Sequence, residues 1–178
     1  PEAASIYGKN NVWNPAFEGV WHLSDPTTPT DSTSNANDGM NNSVSAIAGQ
    51  LDGAGSFDGV ADYIDASDSS SLDVTGNLTL SAWVNLSTVS ESGIVSKGLE
   101  GDLAYGLKVD GDGKFSFFVT TADATTPDAS VSSTTAPSAD GWYYVTGVYD
   151  GSNVKIYVNG LEVGSAAHNT TAVNLAVI

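Results

Sequence analysis

The stretch that most constrains the fold runs from Gly141 to Gly164, GWYYVTGVYDGSNVKIYVNGLEVG. It reads as three short strands and two turns. Trp142 to Tyr149 is aromatic and β-branched on both faces, the pattern of a strand buried on both sides. Asp150-Gly151-Ser152-Asn153 breaks the run with residues that tolerate positive φ or bond their own backbone. Val154, Ile156 and Val158 then alternate with Lys155, Tyr157 and Asn159, giving one apolar and one wet face. Asn159-Gly160 predicts a type I′ hairpin, because that turn needs φ > 0 at both central residues. An antiparallel meander of this kind needs a second sheet to pack against.

The rest of the chain supplies strands. Val20 to Leu23 reads as the first clear one, after a poorly patterned lead-in over residues 1–18 in which Ser5 to Gly8 could form a short strand. Ser24 to Asn37 is a polar loop, bounded by prolines that cannot sit in a central strand. Gly49 to Ala66 reads as two short strands around Asp58-Gly59. Leu78, Leu80, Ala82, Val84 and Leu86 alternate with Thr79, Ser81, Trp83 and Asn85, and a one-residue slip would put every apolar residue in water. Gly93 to Lys97, Tyr105 to Val109 and Phe115 to Val119 follow, the last two joined by the turn Asp110 to Gly113. Thr120 to Ala139 is longer than the usual loop, with a weak edge strand within Ala129 to Thr135. Val173 to Ile178 starts one more strand. No window carries apolar residues at helical spacing. Many short strands with regular turns predict an all-β, two-sheet antiparallel sandwich, and the long loops favour a jelly roll over a symmetric barrel. The whole of 19–178 is long enough to form a single domain with a substantial core.

Charge excludes several partners. The net charge is −16, from 21 acids against 5 basic residues, all of them lysine. Nucleic acid would be repelled, bidentate phosphate recognition by arginine is absent, and an anionic membrane surface is an equally poor partner. Without cysteine there is no disulfide and no thiolate chemistry. No apolar run is long enough to span a bilayer. The chain opens at Pro1 without a methionine and reads as a piece of something longer or processed.

Taken in order, the Val20–Leu23 strand, DSTSNANDG, SFDGVADYID, NLTLSAWVNL, GIVSKG, YGLKV and GWYYVTGVYDGSNVKIYVNG resemble the laminin-G-like, concanavalin A-like jelly-roll modules of exported prokaryotic surface proteins. The resemblance covers about Val20 to Ile178. It implies two antiparallel sheets of six or seven strands, an extracellular or cell-surface location, and glycan binding, adhesion or an accessory role, often with calcium. It also implies a closing strand like FxGxIDEVRI, which does not occur before Ile178. A missing closing strand would leave a sheet edge open beside Val20 to Leu23, through which the chain could associate with itself.

Four groups of residues carry candidate chemistry. Oxygen side chains at Asp31, Thr33, Asn35 and Asn37 recur at every second position of the polar loop, as a structural Ca²⁺ site would require; the same pattern also suits an Asx-rich turn that bonds its own backbone. Asp58 with Asp62 and Asp110 with Asp112 are weaker versions of the same pattern. Trp83, on the polar face of its strand, and Trp142, at a strand start, are placed either to stack on the apolar face of a sugar or to close the core under a loop. Lys97 and Asp102 fall where the resemblance puts ligand contacts. The enzyme reading is weak. Jelly rolls of this shape that cleave β-glucans carry E-x-D-x-x-E, and here Glu100-Gly101-Asp102-Leu103-Ala104-Tyr105 has tyrosine in place of the second glutamate. The Asn-x-Ser/Thr patterns at Asn41, Asn77, Asn85 and Asn169 arise readily by chance in so Asn-, Ser- and Thr-rich a chain. The sequence thus points to a non-catalytic extracellular binding or adhesion module for a glycan or other cell-surface ligand, or else to a self-assembling subunit of a surface layer or filament.

Overall fold

The two central residues of the Asn159-Gly160 turn have φ of 52° and 81°, so the type I′ hairpin forms where the dipeptide predicts it. The computed structural model describes residues 12–99, 102–120 and 129–168. Four strands lie in the first part of the chain: β1 (Met40–Asn42), β2 (Ser45–Ala48), β3 (Gly53–Ser56) and β4 (Tyr63–Asp65). Eight follow: β5 (Leu78–Asn85), β6 (Ser92–Leu99), β7 (Asp102–Val109), β8 (Phe115–Val119), β9 (Ala129–Ser132), β10 (Trp142–Tyr149), β11 (Asn153–Val158) and β12 (Leu161–Ala167). The chain divides into two compact units at Leu72/Asp73.

In the second unit, β12-β11-β10-β5 and β6-β7-β8-β9 form two four-stranded antiparallel sheets. Their inner faces make the core. Leu107 and Val109 from β7, Phe115, Phe117 and Val119 from β8, Val145 and Tyr149 from β10, and Val154 and Ile156 from β11 are all buried in it. Burial of each such side chain is worth about 1.5–3 kcal/mol. Gly147 of β10 lies under the Phe117 ring of β8, where any β-carbon would overlap the ring. The absence of a side chain at that position is what lets the two sheets close. β5 keeps the predicted alternation, with Leu78, Leu80, Ala82 and Val84 inward and Thr79, Ser81, Trp83 and Asn85 exposed.

β10 departs from its predicted burial on both faces. Val145, Gly147 and Tyr149 are buried, whereas Tyr144 on the opposite face is 38% exposed. Its aromatic and β-branched residues therefore line a solvent-facing surface as well as the core.

The first unit is built by polar groups more than by apolar ones. β1 pairs with β4 and β2 with β3, all antiparallel. Val20 to Leu23 is not a ladder strand: Trp21 makes one isolated bridge to Asp31, and Leu23 turns away with φ of 53°. The reason is local, because the Asp31 side chain takes the Val20 N–H that a neighbouring strand would otherwise receive. The predicted strands at Ser5 to Gly8 and Val173 to Ile178 lie outside the described residues.

Candidate functional site

The exposed face of β5 and β10 is fixed by strand register. Trp83 sits directly opposite Tyr144, Asn85 opposite Trp142, and Ser81 opposite Thr146. Opposed residues on one face of an antiparallel pair are close enough for their side chains to meet. The Trp83 and Tyr144 rings do so, with centroids 5.3 Å apart and planes inclined by 43°. They are 40% and 38% exposed, which leaves much of each ring open to solvent. Trp142 is half-buried and lies diagonally from Trp83. Among the described residues no hydrogen bond is made by the Trp83 or Trp142 indole N–H, the Tyr144 hydroxyl, or the side chains of Ser81, Asn85 and Thr146. The face thus offers apolar rings bordered by uncommitted donors and acceptors. Tyr144 was hidden in the sequence by the aromatic character of its whole strand; the period of two from Val145, with Trp83 on the polar side of β5, is the signal that locates it.

The ionic groups of the same sheet are already engaged. Lys155 Nζ donates to Asp150 Oδ2 at 2.7 Å, and the Tyr157 hydroxyl donates to Glu162 Oε2 at 3.0 Å. The Lys155 ammonium, then the Asn153 and Ser152 N–H groups, hold the Asp150 carboxyl at about 2.

Lys97 and Asp102 belong to the other sheet. Lys97, on β6, is buried and forms an ion pair of 3.2 Å with Asp73. Asp102 opens β7 opposite Leu99. The structure therefore brings Trp83 and Trp142 onto one sheet face and puts Lys97 and Asp102 on different strands from them.

Asp31, Thr33, Asn35 and Asn37 do converge, on the Asp31 carboxylate. Its Oδ1 accepts the N–H groups of Val20 and Thr33, each at 2.9 Å. Its Oδ2 accepts the Thr33 hydroxyl at 2.7 Å and the Asn37 N–H at 3.0 Å. The Asn35 and Asn37 amides donate to the Glu18 carbonyl, which ties part of the predicted lead-in to this loop. Burial pushes the Asp31 carboxyl up, but the N–H groups of Thr33 and Val20, the Thr33 hydroxyl and the Asn37 N–H together hold it below the ordinary value. Three backbone dipoles point their positive ends at these oxygens. These are the bonds of an Asx-rich turn that holds its own backbone, and they use the Asp31 oxygens that a calcium shell would draw on. Among the described residues, no three His, Cys, Asp or Glu side chains cluster closely enough to hold a metal ion together.

The lesser acidic pairs close turns. Asp58 accepts the N–H groups of Val60, Ala61 and Asp62, and Asp110 accepts those of Asp112 and Lys114 together with the Ser132 hydroxyl. Glu100 lies outside the described residues, and Tyr105, at the position of the missing glutamate, is buried in the core. Among the described residues no helix is long and apolar enough to cross a membrane.

Comparison with known proteins places this geometry in a family. Residues 58–176 match a laminin G-type family model described as the concanavalin A-like lectin/glucanases superfamily. Among solved structures, the chain is similar to an S-layer domain-containing protein from Clostridium thermocellum. Identity there is 24%, over 89% of this chain and 74% of that one, with a TM-score of 0.55. It is also similar to domains LG4-5 of the mouse laminin alpha1 chain, at 17% identity over 57% of this chain and 26% of that one, with a TM-score of 0.42. No curated protein matches the sequence significantly.

Proposed function

The chain belongs to the concanavalin A-like lectin/glucanases superfamily, and from that premise we propose that it is a non-catalytic, extracellular binding or adhesion module whose ligand is a glycan. The observation that carries the reading is the Trp83–Tyr144 pair, two solvent-open rings held on adjacent strands. A sugar ring has an apolar face and a rim of hydroxyls. Aromatic side chains supply the surface for the first at low entropic cost, and uncommitted polar groups such as Ser81, Asn85 and Thr146 answer the second. Because the rings stand on strands and not on a loop, little ordering cost remains to be met on binding. Fold alone does not assign this role, since one fold hosts many functions. The sequence supports the non-catalytic part of the reading, as it lacks the second glutamate of the glucan-cleaving pattern. Lys97, being buried against Asp73, is assigned to structure and not to the ligand.

A glycan array probed with the wild-type chain and with Trp83→Ala tests the reading. It expects one or more glycans to be retained by the wild type and lost by the variant. Failure to retain any glycan on a broad array would overturn it.

A second reading, self-assembly within a surface layer, has one specific observation in its favour. Among the described residues β5 ends its sheet, with all eight residues in unbroken register to β10, whereas β6, at an end of the other sheet, is interrupted by two bulges. Regular edges recruit strands from other chains and bulged edges discourage it. Sedimentation velocity over a range of concentrations decides this reading: growth of larger species supports it, and a monomer throughout removes it.

A further inference from the structure

We propose that the ligand of the β5–β10 face is an uncharged, soluble polysaccharide chain, with Trp83 and Tyr144 as its stacking platform. This deepens the glycan-binding reading and rests on it.

Charge is the first argument. Recognition of a sulfate or uronate is strongest where lysines or arginines are free to pair with it. The chain has no arginine and a net charge of −16. On the exposed face of this sheet the lysine is Lys155, and its ammonium is committed to Asp150 at 2.7 Å. An anionic glycan would meet rings, hydroxyls and a repulsive surrounding field. A polycationic glycan would be drawn to the acidic surface as a whole, with no preference for this face, and the attraction would fade as salt screened it. The polar groups beside the rings are themselves neutral: the Ser81 and Thr146 hydroxyls, the Asn85 amide, the Tyr144 hydroxyl and the Trp142 indole N–H. They match a ligand whose polar groups are hydroxyls.

Ring geometry is the second argument. The Trp83 and Tyr144 planes are inclined by 43°. Two rings at that angle cannot both lie flat on one crystalline surface. They can each contact a successive sugar of a free chain that twists between them. The register sets the two residues directly opposite each other on a twisted strand pair. The structure thus assigns the face to single soluble chains and not to crystalline polymer.

Affinity electrophoresis of the full chain tests the assignment. The probes in the gel are soluble mixed-linkage β-glucan and galactomannan (neutral), polygalacturonate and heparin (anionic), and chitosan (cationic). A pull-down on crystalline cellulose runs beside them. The expected result is retardation by a neutral polymer, equal at low and high salt. Trp83→Ala and Tyr144→Ala each lose about tenfold in affinity. Trp83→Phe, which keeps a ring, retains most of the binding, and Leu161→Ala on the same sheet is unchanged. Melting curves matching wild type show that the variants are folded, as substitution at exposed positions should allow.

Retention by heparin or polygalacturonate alone, or salt-sensitive retention by chitosan alone, would overturn the neutral-ligand inference while leaving glycan binding in place. Neutral retention that ignores Trp83→Ala and Tyr144→Ala would overturn the site. Binding confined to crystalline cellulose would overturn the single-chain assignment. Conversion of a dimer to a monomer by Trp83→Ala would show that a second copy of the chain is the occupant. No retention by any probe or on a broad array would remove the glycan reading itself.

Discussion

Replacing Asp31 with alanine should unravel the polar loop of the first unit. The side chain is 2% exposed and its two oxygens accept four hydrogen bonds, three of them from backbone N–H groups. The variant leaves those donors without a partner. Val20 is only half-buried, so its N–H regains water at little cost, whereas Thr33 and Asn37 are 3% and 5% exposed. Each buried donor left unsatisfied costs about 1–3 kcal/mol, and single substitutions seldom exceed 4–5, so the expected loss is about 3–4 kcal/mol. Asp31→Asn keeps one acceptor oxygen but loses the charge, and should fall about midway. Urea denaturation followed by tryptophan fluorescence reads the loss locally, because the Trp21 indole donates to the Asn37 carbonyl at 2.8 Å. With two compact units, the transition need not be two-state. The component reported by Trp21 is the one that should move. A value for Asp31→Ala within about 0.5 kcal/mol of wild type, the range of an ordinary surface change, would refute the reasoning.

Three further outcomes follow from the same structure. Gly147→Ala forces a β-carbon into the Phe117 ring and should destabilise the second unit by about 1–3 kcal/mol; a melting temperature equal to wild type would show that the sheets can separate freely there. Thermal melts in Ca²⁺ and in EDTA should coincide, because backbone dipoles already occupy the Asp31 oxygens. A stabilisation by Ca²⁺ that disappears in Asp31→Ala would instead establish the calcium site expected from the sequence. The acid limit follows from the lowered carboxyls of Asp31, Asp110 and Asp150. A carboxyl held lower in the folded state contributes fully above its unfolded value, near 3.8, and loses that contribution as pH falls through its folded value, about 2 for Asp150. At high salt, where the self-repulsion of −16 charges is screened, the urea midpoint should be flat from neutral pH to about 5 and fall below about 4. A midpoint that rose on acidification below 4 would contradict this.

Strand periodicity made the second unit legible. The alternation from Leu78 to Val84 sets which side of β5 is buried, and Asn159-Gly160 sets the β11–β12 hairpin. The apolar residues of β11 likewise face inward, with Val154 and Ile156 fully buried. Periodicity failed where the same residue type serves both faces. In β10, Tyr143 packs edge-on against Phe115 while its neighbour Tyr144 points outward to Trp83. Side-chain type does not separate two such tyrosines, and only register does. The first unit was less readable for a different reason. Its loop from Asp31 to Asn37 is held by side chain–backbone bonds reaching to Glu18 and Ser71, and such bonds leave no periodic trace. Alternating oxygen residues suit a metal shell and a self-bonded turn equally, and the bonds from the Val20, Thr33 and Asn37 N–H groups to Asp31 are not written in the residue types. The candidate ligand residues divided in the same way: Trp83 was placed by its strand face, whereas nothing in the sequence around Lys97 announced its burial against Asp73.

The most direct measurement of the central claim follows the four tryptophan indole N–H resonances, those of Trp13, Trp21, Trp83 and Trp142, by NMR as a soluble neutral polysaccharide is added. Trp83 stands at the exposed pair with Tyr144, Trp142 lies on the same face, and Trp21 is bonded within its own loop. Trp83 should shift most, Trp142 should follow at the same half-saturation, and Trp21 should stay fixed. A titration in which binding saturates while Trp83 stays silent, or in which Trp13 or Trp21 moves in its place, would contradict the account.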